Sequence, residues 1–133
     1  MNKMTDHLAN ALNTIKNNEI KGNKECVIKP STKILKNVLE LLKKNDYIED
    51  YEEFQTEIAG LKAVKVKLSG KINECKAIKP RLTIKYSELQ KYEERFIPSR
   101  DVGLLIISTP KGLITNKQAR ELRTGGVLIA YVY

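Results

Sequence analysis

The sequence predicts an α+β fold of two small lobes, an N-terminal α/β lobe over residues 1–69 and a C-terminal, mostly-β lobe with short helices over residues 70–133. Three observations carry this prediction. Apolar residues recur at helical spacing in residues 5–18 and 32–44. The stretch "LKAVKVKLSG" alternates with a period of two, Val64, Val66 and Leu68 inward and Lys65 and Lys67 outward, which marks a strand with one wet face. The closing stretch "LLIISTPKGLITNKQARELRTGGVLIAYVY" places two apolar strands on either side of a compact helix.

Thr5 or Asp6 can cap the first helix, and Leu8, Leu12 and Ile15 form its apolar stripe. Its other face carries Asn10, Asn13, Lys16 and Asn17. Asparagine competes with a helix for backbone hydrogen bonds, so such a face suits amides that bond an external partner; a merely solvated polar face explains it equally well. Cys26, Val27 and Ile28 form a short strand that Pro30 stops. Ser31 is placed to cap a helix over residues 32–44, with Ile34, Leu35, Val38, Leu39, Leu41 and Leu42 on its buried face and Asn45 in a left-handed position at its end. A strand over residues 47–54 precedes the alternating one. The second lobe should open with two short strands, around Ile72 and over residues 82–86, then a helical stretch over 87–95 that Pro98 ends. Leu104 to Ile107 enter a core as a strand. A helix over residues 115–122 starts with a capping box of Thr115 and Gln118. Gly125 and Gly126 break it before a final strand over 127–133.

Charge points to the partner. Lys plus Arg is 24 and Asp plus Glu is 16 in 133 residues, a net charge of +8. That balance favours a polyanion, nucleic acid before an anionic membrane surface. It is uneven: residues 46–68 hold six acidic and three basic groups, so a polyanion should avoid "DYIEDYEEFQTE", which should face solvent or another protein. No apolar run reaches the roughly 20 residues of a spanning helix, and the N-terminus lacks the apolar core of a secretory signal. Cys26 and Cys75 stand apart with His7 as the sole histidine, so no metal site is expected. No GxxxxGK[ST] loop or GxSxG elbow occurs. An enzyme, a cofactor, a small-molecule substrate and a membrane partner are all disfavoured.

The stretch Ser108, Thr109, Pro110, Lys111 and Gly112 is the main candidate site. Between a buried strand and a capped helix it presents two hydroxyls, backbone N–H groups and one ammonium, and no acid occurs from Lys111 to Arg120. Hydroxyls donate and accept, so they can read base edges, ribose hydroxyls and phosphates. The plainer reading is a connection whose hydroxyls bond their own backbone. Lys29, Lys33 and Lys71 are weaker candidates for phosphate contacts, each equally readable as a solvated lysine. A protein-interaction or assembly adaptor, working through "EDYEEF" without direct RNA readout, is the alternative function.

Five blocks in order resemble a known family over essentially the whole chain: "DHLANALNTIKNNE", "IKPSTKILKNVLELLKKNDYIEDYE", "GKINECKAIKPRL", "PSRDVGLLIISTPKGLITNKQAR" and "TGGVLIAYVY". The chain resembles the universal eighth ribosomal protein of the small subunit, in its archaeal or eukaryotic cytosolic branch. The resemblance implies two lobes and a cytoplasmic, ribosomal protein that binds the central domain of small-subunit rRNA beside other small-subunit ribosomal proteins and supports assembly and translation. It also implies that the main contacts come from a Ser-Thr-Ser-type loop, which maps onto Ser108, Thr109, Pro110, Lys111 and Gly112. Pro110 departs from the pattern, since proline loses a hydroxyl and a backbone donor. Gly125 and Gly126 match the family's glycine pair, where a backbone passes close to RNA or turns tightly. Asn10, Asn13, Lys16, Lys29, Ser31, Lys33 and Lys71 complete the expected RNA-binding set, with no metal or cofactor.

Overall fold

The computed structural model describes residues 7–99 and 101–133, so the expected caps Thr5 and Asp6 lie outside the described residues. The chain folds as two compact units, Met1–Asn73 and Glu74–Tyr133.

The N-terminal unit opens with helix α1 (His7–Ile20), which buries Leu8, Ala11, Leu12 and Ile15, the apolar stripe of its sequence. Strands β1 (Glu25–Ile28), β2 (Ile48–Gln55) and β3 (Lys62–Leu68) form an antiparallel sheet in the order β1-β3-β2. The alternating strand is the central one: Val64, Val66 and Leu68 are buried, and Lys65 reaches out to pair with Glu25 at 3.3 Å. Helix α2 (Lys33–Lys44) buries Leu35, Val38, Leu39, Leu41 and Leu42, while Ile34 is only half-buried.

Two details of α2 correct the sequence reading. Its N-cap is Thr32, not Ser31. Thr32 has the extended backbone that a cap requires, φ −110° and ψ 158°, and its Oγ1 accepts the Leu35 N–H at 3.2 Å. Ser31 sits one residue too early for that bond and donates its hydroxyl to Glu53 instead. At the other end Asn45 keeps a negative φ, and Asp46 takes the left-handed conformation at φ 64°. The Asn45 amide is otherwise engaged, donating to the Leu41 carbonyl at 2.8 Å.

The C-terminal unit comprises β4 (Cys75–Ile84), a 3-10 turn (Tyr86–Glu88), α3 (Leu89–Phe96), β5 (Leu104–Thr109), β6 (Gly112–Thr115), α4 (Asn116–Leu122) and β7 (Gly126–Val132). Its antiparallel sheet runs β4-β7-β5-β6. One core cluster joins Leu105, Ile107 and Leu128 of the sheet to Leu89, Ile97 and Ala119 around the two helices. The two strands expected around Ile72 and over 82–86 are instead the single strand β4. Ile72 precedes it and donates its N–H to the Glu19 carboxylate at 3.0 Å. The β4–β7 ladder breaks between Ala77 and Leu82. Pro80 lies in that break, where a residue without an N–H costs no ladder bond.

Helix α4 has the expected capping box: the Gln118 N–H donates to Thr115 Oγ1 at 3.3 Å, and the Thr115 N–H donates to Gln118 Oε1 at 3.0 Å. The glycine pair does not end it. Arg123 does so in a left-handed conformation, φ 52°, with the Thr124 N–H donating to the Ala119 carbonyl at 3.1 Å.

Candidate nucleic-acid interface

In the sequence, residues 108–112 read as a loop between a strand and a helix. The structure makes them a β-hairpin. Thr109 pairs with Gly112, leaving Pro110 and Lys111 as a two-residue turn, and β6 intervenes before α4. Pro110 pre-sets φ for the turn. Gly112 closes it at φ +124°, a conformation that side chains rarely adopt. Thr109 pins both sides: its hydroxyl donates to the Gly112 carbonyl at 2.8 Å and accepts the Lys111 N–H at 3.2 Å. The Thr109 hydroxyl is therefore consumed inside the turn, and Thr109 shapes the hairpin. Pro110, Lys111 and Gly112 are exposed, and Ser108 is half-buried on β5. Among the described residues the Ser108 hydroxyl and the Lys111 ammonium have no partner, so these two groups are the hairpin's available donors.

Gly125 and Gly126 have a packing reason for being glycine. A Cβ on Gly125 would lie 2.2 Å from the Ile84 carbonyl oxygen, and one on Gly126 would lie 2.6 Å from the Ser108 carbonyl oxygen. Close approach of neighbouring strands forbids a side chain there. Gly126 thus sets the spacing behind the hairpin.

Below the hairpin, where β5 meets α3 and α4, lies a buried polar network that is not among the sequence-predicted site residues. Asn116 Oδ1 accepts the Leu105 N–H at 3.2 Å, and Asn116 Nδ2 donates to Glu93 Oε2 at 2.6 Å. The Arg120 guanidinium donates to the other Glu93 oxygen. Glu93 is 2% exposed and Asn116 is fully buried. The network ties α3, α4 and β5 together, so the hairpin grows from a rigid base. One signal was available: Glu93 follows Leu89 by four residues, on the apolar face of α3.

The remaining candidates belong to the N-terminal unit. Asn10 and Asn13 are exposed on α1, and Lys16 is half-buried. Asn10 and Lys29 line one cleft of about 810 Å³ with Thr14, Val27, Phe54 and Ile58. Lys33 and Lys71 are exposed. The Ser31 hydroxyl is committed to Glu53, and that bond, with Lys36 3.3 Å from the same carboxylate oxygen, holds the Glu53 carboxyl below its usual pKa. The Tyr51 N–H and Lys43 do the same for Asp50. Burial, with a smaller contribution from Glu19, pushes the Cys26 thiol up to about 11, so it stays protonated at neutral pH. Among the described residues no three His, Cys, Asp or Glu side chains gather into a metal-holding group, and no helix is long and apolar enough to cross a membrane.

Residues 6–133 match the family model for ribosomal protein S8. The chain belongs to the ribosomal protein S8 family. It is 48% identical over 128 residues to the small ribosomal subunit protein uS8 of Archaeoglobus fulgidus, an alignment covering 96% of this chain and 98% of the relative. It is 45% identical over 130 residues to the protein of the same name from Caldivirga maquilingensis, covering 98% of each. Ribosomal protein S8 is a structural family, not an enzyme family. The matched residues contain all five sequence blocks.

Proposed function

We propose that this member of the ribosomal protein S8 family is a structural component of the small ribosomal subunit that binds small-subunit rRNA directly through its β5–β6 hairpin. It works in the cytoplasm, in the ribosome beside other small-subunit proteins, and supports assembly of the rRNA central domain. The supporting observation is the hairpin itself. Its threonine is spent on holding the turn, and Ser108 and Lys111 are left to meet an external partner from a rigid sheet edge. A preformed turn loses little conformational entropy on binding. Asn10, Asn13, Lys29 and Lys33 supply secondary contacts in this reading, with Gly125 and Gly126 acting through backbone packing and Ser31 through Glu53.

The adaptor reading is the weaker one. Its working face, the acidic strand β2, has Glu53 and Asp50 already engaged by Ser31, Lys36 and Lys43 of its own lobe. A salt titration separates the two readings. Binding to a central-domain rRNA fragment should weaken steeply with salt, with a slope of several phosphates. Lys111→Ala should lower that slope by about one. A flat salt response from the parent protein would favour the adaptor.

A further inference from the structure

We propose that the C-terminal lobe carries a second RNA-binding surface at the β4 edge of its sheet. It is a cleft of Lys76, Lys79, Arg95, Phe96 and Tyr131 that takes an unpaired nucleotide of a single-stranded RNA segment. The inference rests on the reading of this chain as an rRNA-binding protein, and adds a site that the hairpin does not supply.

The cleft follows from the broken ladder. Between Ala77 and Leu82 strand β4 parts from β7, and Lys79, Pro80 and Arg81 stand exposed. A bulge of this kind re-aims the side chains of an edge strand. It opens a cleft of about 220 Å³ against the last turn of α3. Three of the residues lining it are cations and none is a carboxylate. Lys76 and Arg95 have no ion pair among the described residues, so their charge is available to a partner.

The floor is aromatic. Phe96 stacks on Tyr131 with centroids 5.4 Å apart and planes 25° apart. The array continues to Tyr92 on one side, at 6.4 Å, and to Tyr133 on the other, at 6.2 Å. All four rings are half-buried, each anchored at the margin of the core. The Arg95 guanidinium lies 5.2 Å from the Phe96 centroid, and Lys91 lies 5.5 Å from that of Tyr92. An acidic peptide matches the cations but offers no planar faces. Single-stranded RNA offers both, phosphates for Lys76, Lys79 and Arg95 and a base for the rings. A regular duplex is excluded because its bases are stacked and paired, and the cleft has room for little more than one ring system.

The site is separate from the hairpin. Strands β4 and β6 are opposite edges of one sheet with β7 and β5 between them. Three strand spacings put them about 14 Å apart. The lobe would then hold two RNA segments at once, one at each edge.

The test uses the intact protein and a short oligouridylate, which has no duplex for the hairpin to read. Binding is followed by tyrosine fluorescence, usable because the chain has six tyrosines and no tryptophan. Photo-cross-linking then locates the contact. The parent should bind in a salt-sensitive way and cross-link at Phe96 or Tyr131. Phe96→Leu should weaken oligouridylate binding about tenfold, the size of one lost base stack. Arg95→Glu, at an exposed position and so a control for folding, should weaken it at least as much and flatten its salt response. Lys111→Ala should leave it unchanged while lowering the salt slope for the rRNA fragment. If the fragment binds but oligouridylate does not, or cross-links only at residues 108–112, the cleft is not an RNA site. The same follows if Arg95→Glu binds as well as the parent, or if polyglutamate binds the cleft as tightly as oligouridylate does. If the parent fails to bind the rRNA fragment, the function itself is wrong.

Discussion

The two lobes hold similar numbers of cations but use their carboxylates differently. Residues 1–73 carry 13 basic and 10 acidic groups, and residues 74–133 carry 11 and six. In the N-terminal lobe the acids of the sheet meet cations at the surface: Glu25 with Lys65, Asp50 with Lys43, Glu53 with Lys36. In the C-terminal lobe the main acid is buried. Glu93 is spent on Asn116 and Arg120 inside the structure, and Lys111, Lys76 and Arg95 stand outside without an ion pair among the described residues. The buried carboxylate braces the fold, and because it takes Arg120 with it the lobe's positive field comes from its excess of basic over acidic groups. The hairpin turns differ in the same way. The β2–β3 turn is folded in by Gln55, whose amide reaches the carbonyls of Ile58 and Leu61 at 2.9 Å each. The β5–β6 turn needs only Thr109, and its lysine remains outside.

This contrast is tested most forcefully at Glu93. Glu93→Ala strands a buried asparagine amide and should destabilise the protein by about 3 kcal/mol in chemical denaturation. Glu25→Ala, which removes a surface pair, should stay within about 0.5 kcal/mol. Equal losses from the two would show that the buried network has no special role. Next in size is Gly126→Ala, whose Cβ meets the Ser108 carbonyl oxygen. It should cost about 1–3 kcal/mol and weaken RNA binding by shifting the hairpin. Thr109→Val is smaller: losing the turn's pin should lower stability by about 0.5–1.5 kcal/mol, together with a loss of RNA affinity. Unchanged stability with lost affinity would instead mean that the hydroxyl contacts RNA directly. Lys111→Ala should leave the melting temperature almost unchanged, its effect being confined to the salt slope.

The smallest effect concerns acid. Glu53 has a depressed pKa in the folded state, so its contribution is present above the usual carboxylate range and is lost as pH falls through the depressed value. Ser31→Ala removes the main cause. The Glu53 carboxyl should then titrate at higher pH in an NMR titration, and its stabilising contribution should fade at correspondingly higher pH. A Glu53 titration that does not move would place the cause with Lys36 instead.

Much of the architecture is written locally. The buried stripes of α1 and α2, the alternation of β3 and the Thr115–Gln118 box depend on side chains within a turn or a strand of one another, and periodicity shows them directly. The same holds for the make-up of the turn, Pro110, Lys111 and Gly112. Other features depend on partners far along the chain. The Ser31 hydroxyl, which the local pattern offers as a cap for α2, goes instead to Glu53, 22 residues away. The joining of residues 75–84 into one strand is decided by β7, whose edge pairs both ends of β4 and leaves the middle to bulge. The Glu93–Asn116–Arg120 network spans 27 residues, so no local pattern could assemble it. The aromatic cleft, too, exists only where α3 meets β4 and β7. The two-lobe α+β class and the basic hydroxyl-rich turn are legible in the sequence because they reside in composition and short-range spacing, and the family is legible through its resemblance over five ordered blocks. Which hydroxyl is spent, which glycine is crowded and which charges stay free are settled in three dimensions, because each depends on which distant group arrives within hydrogen-bonding or van der Waals distance.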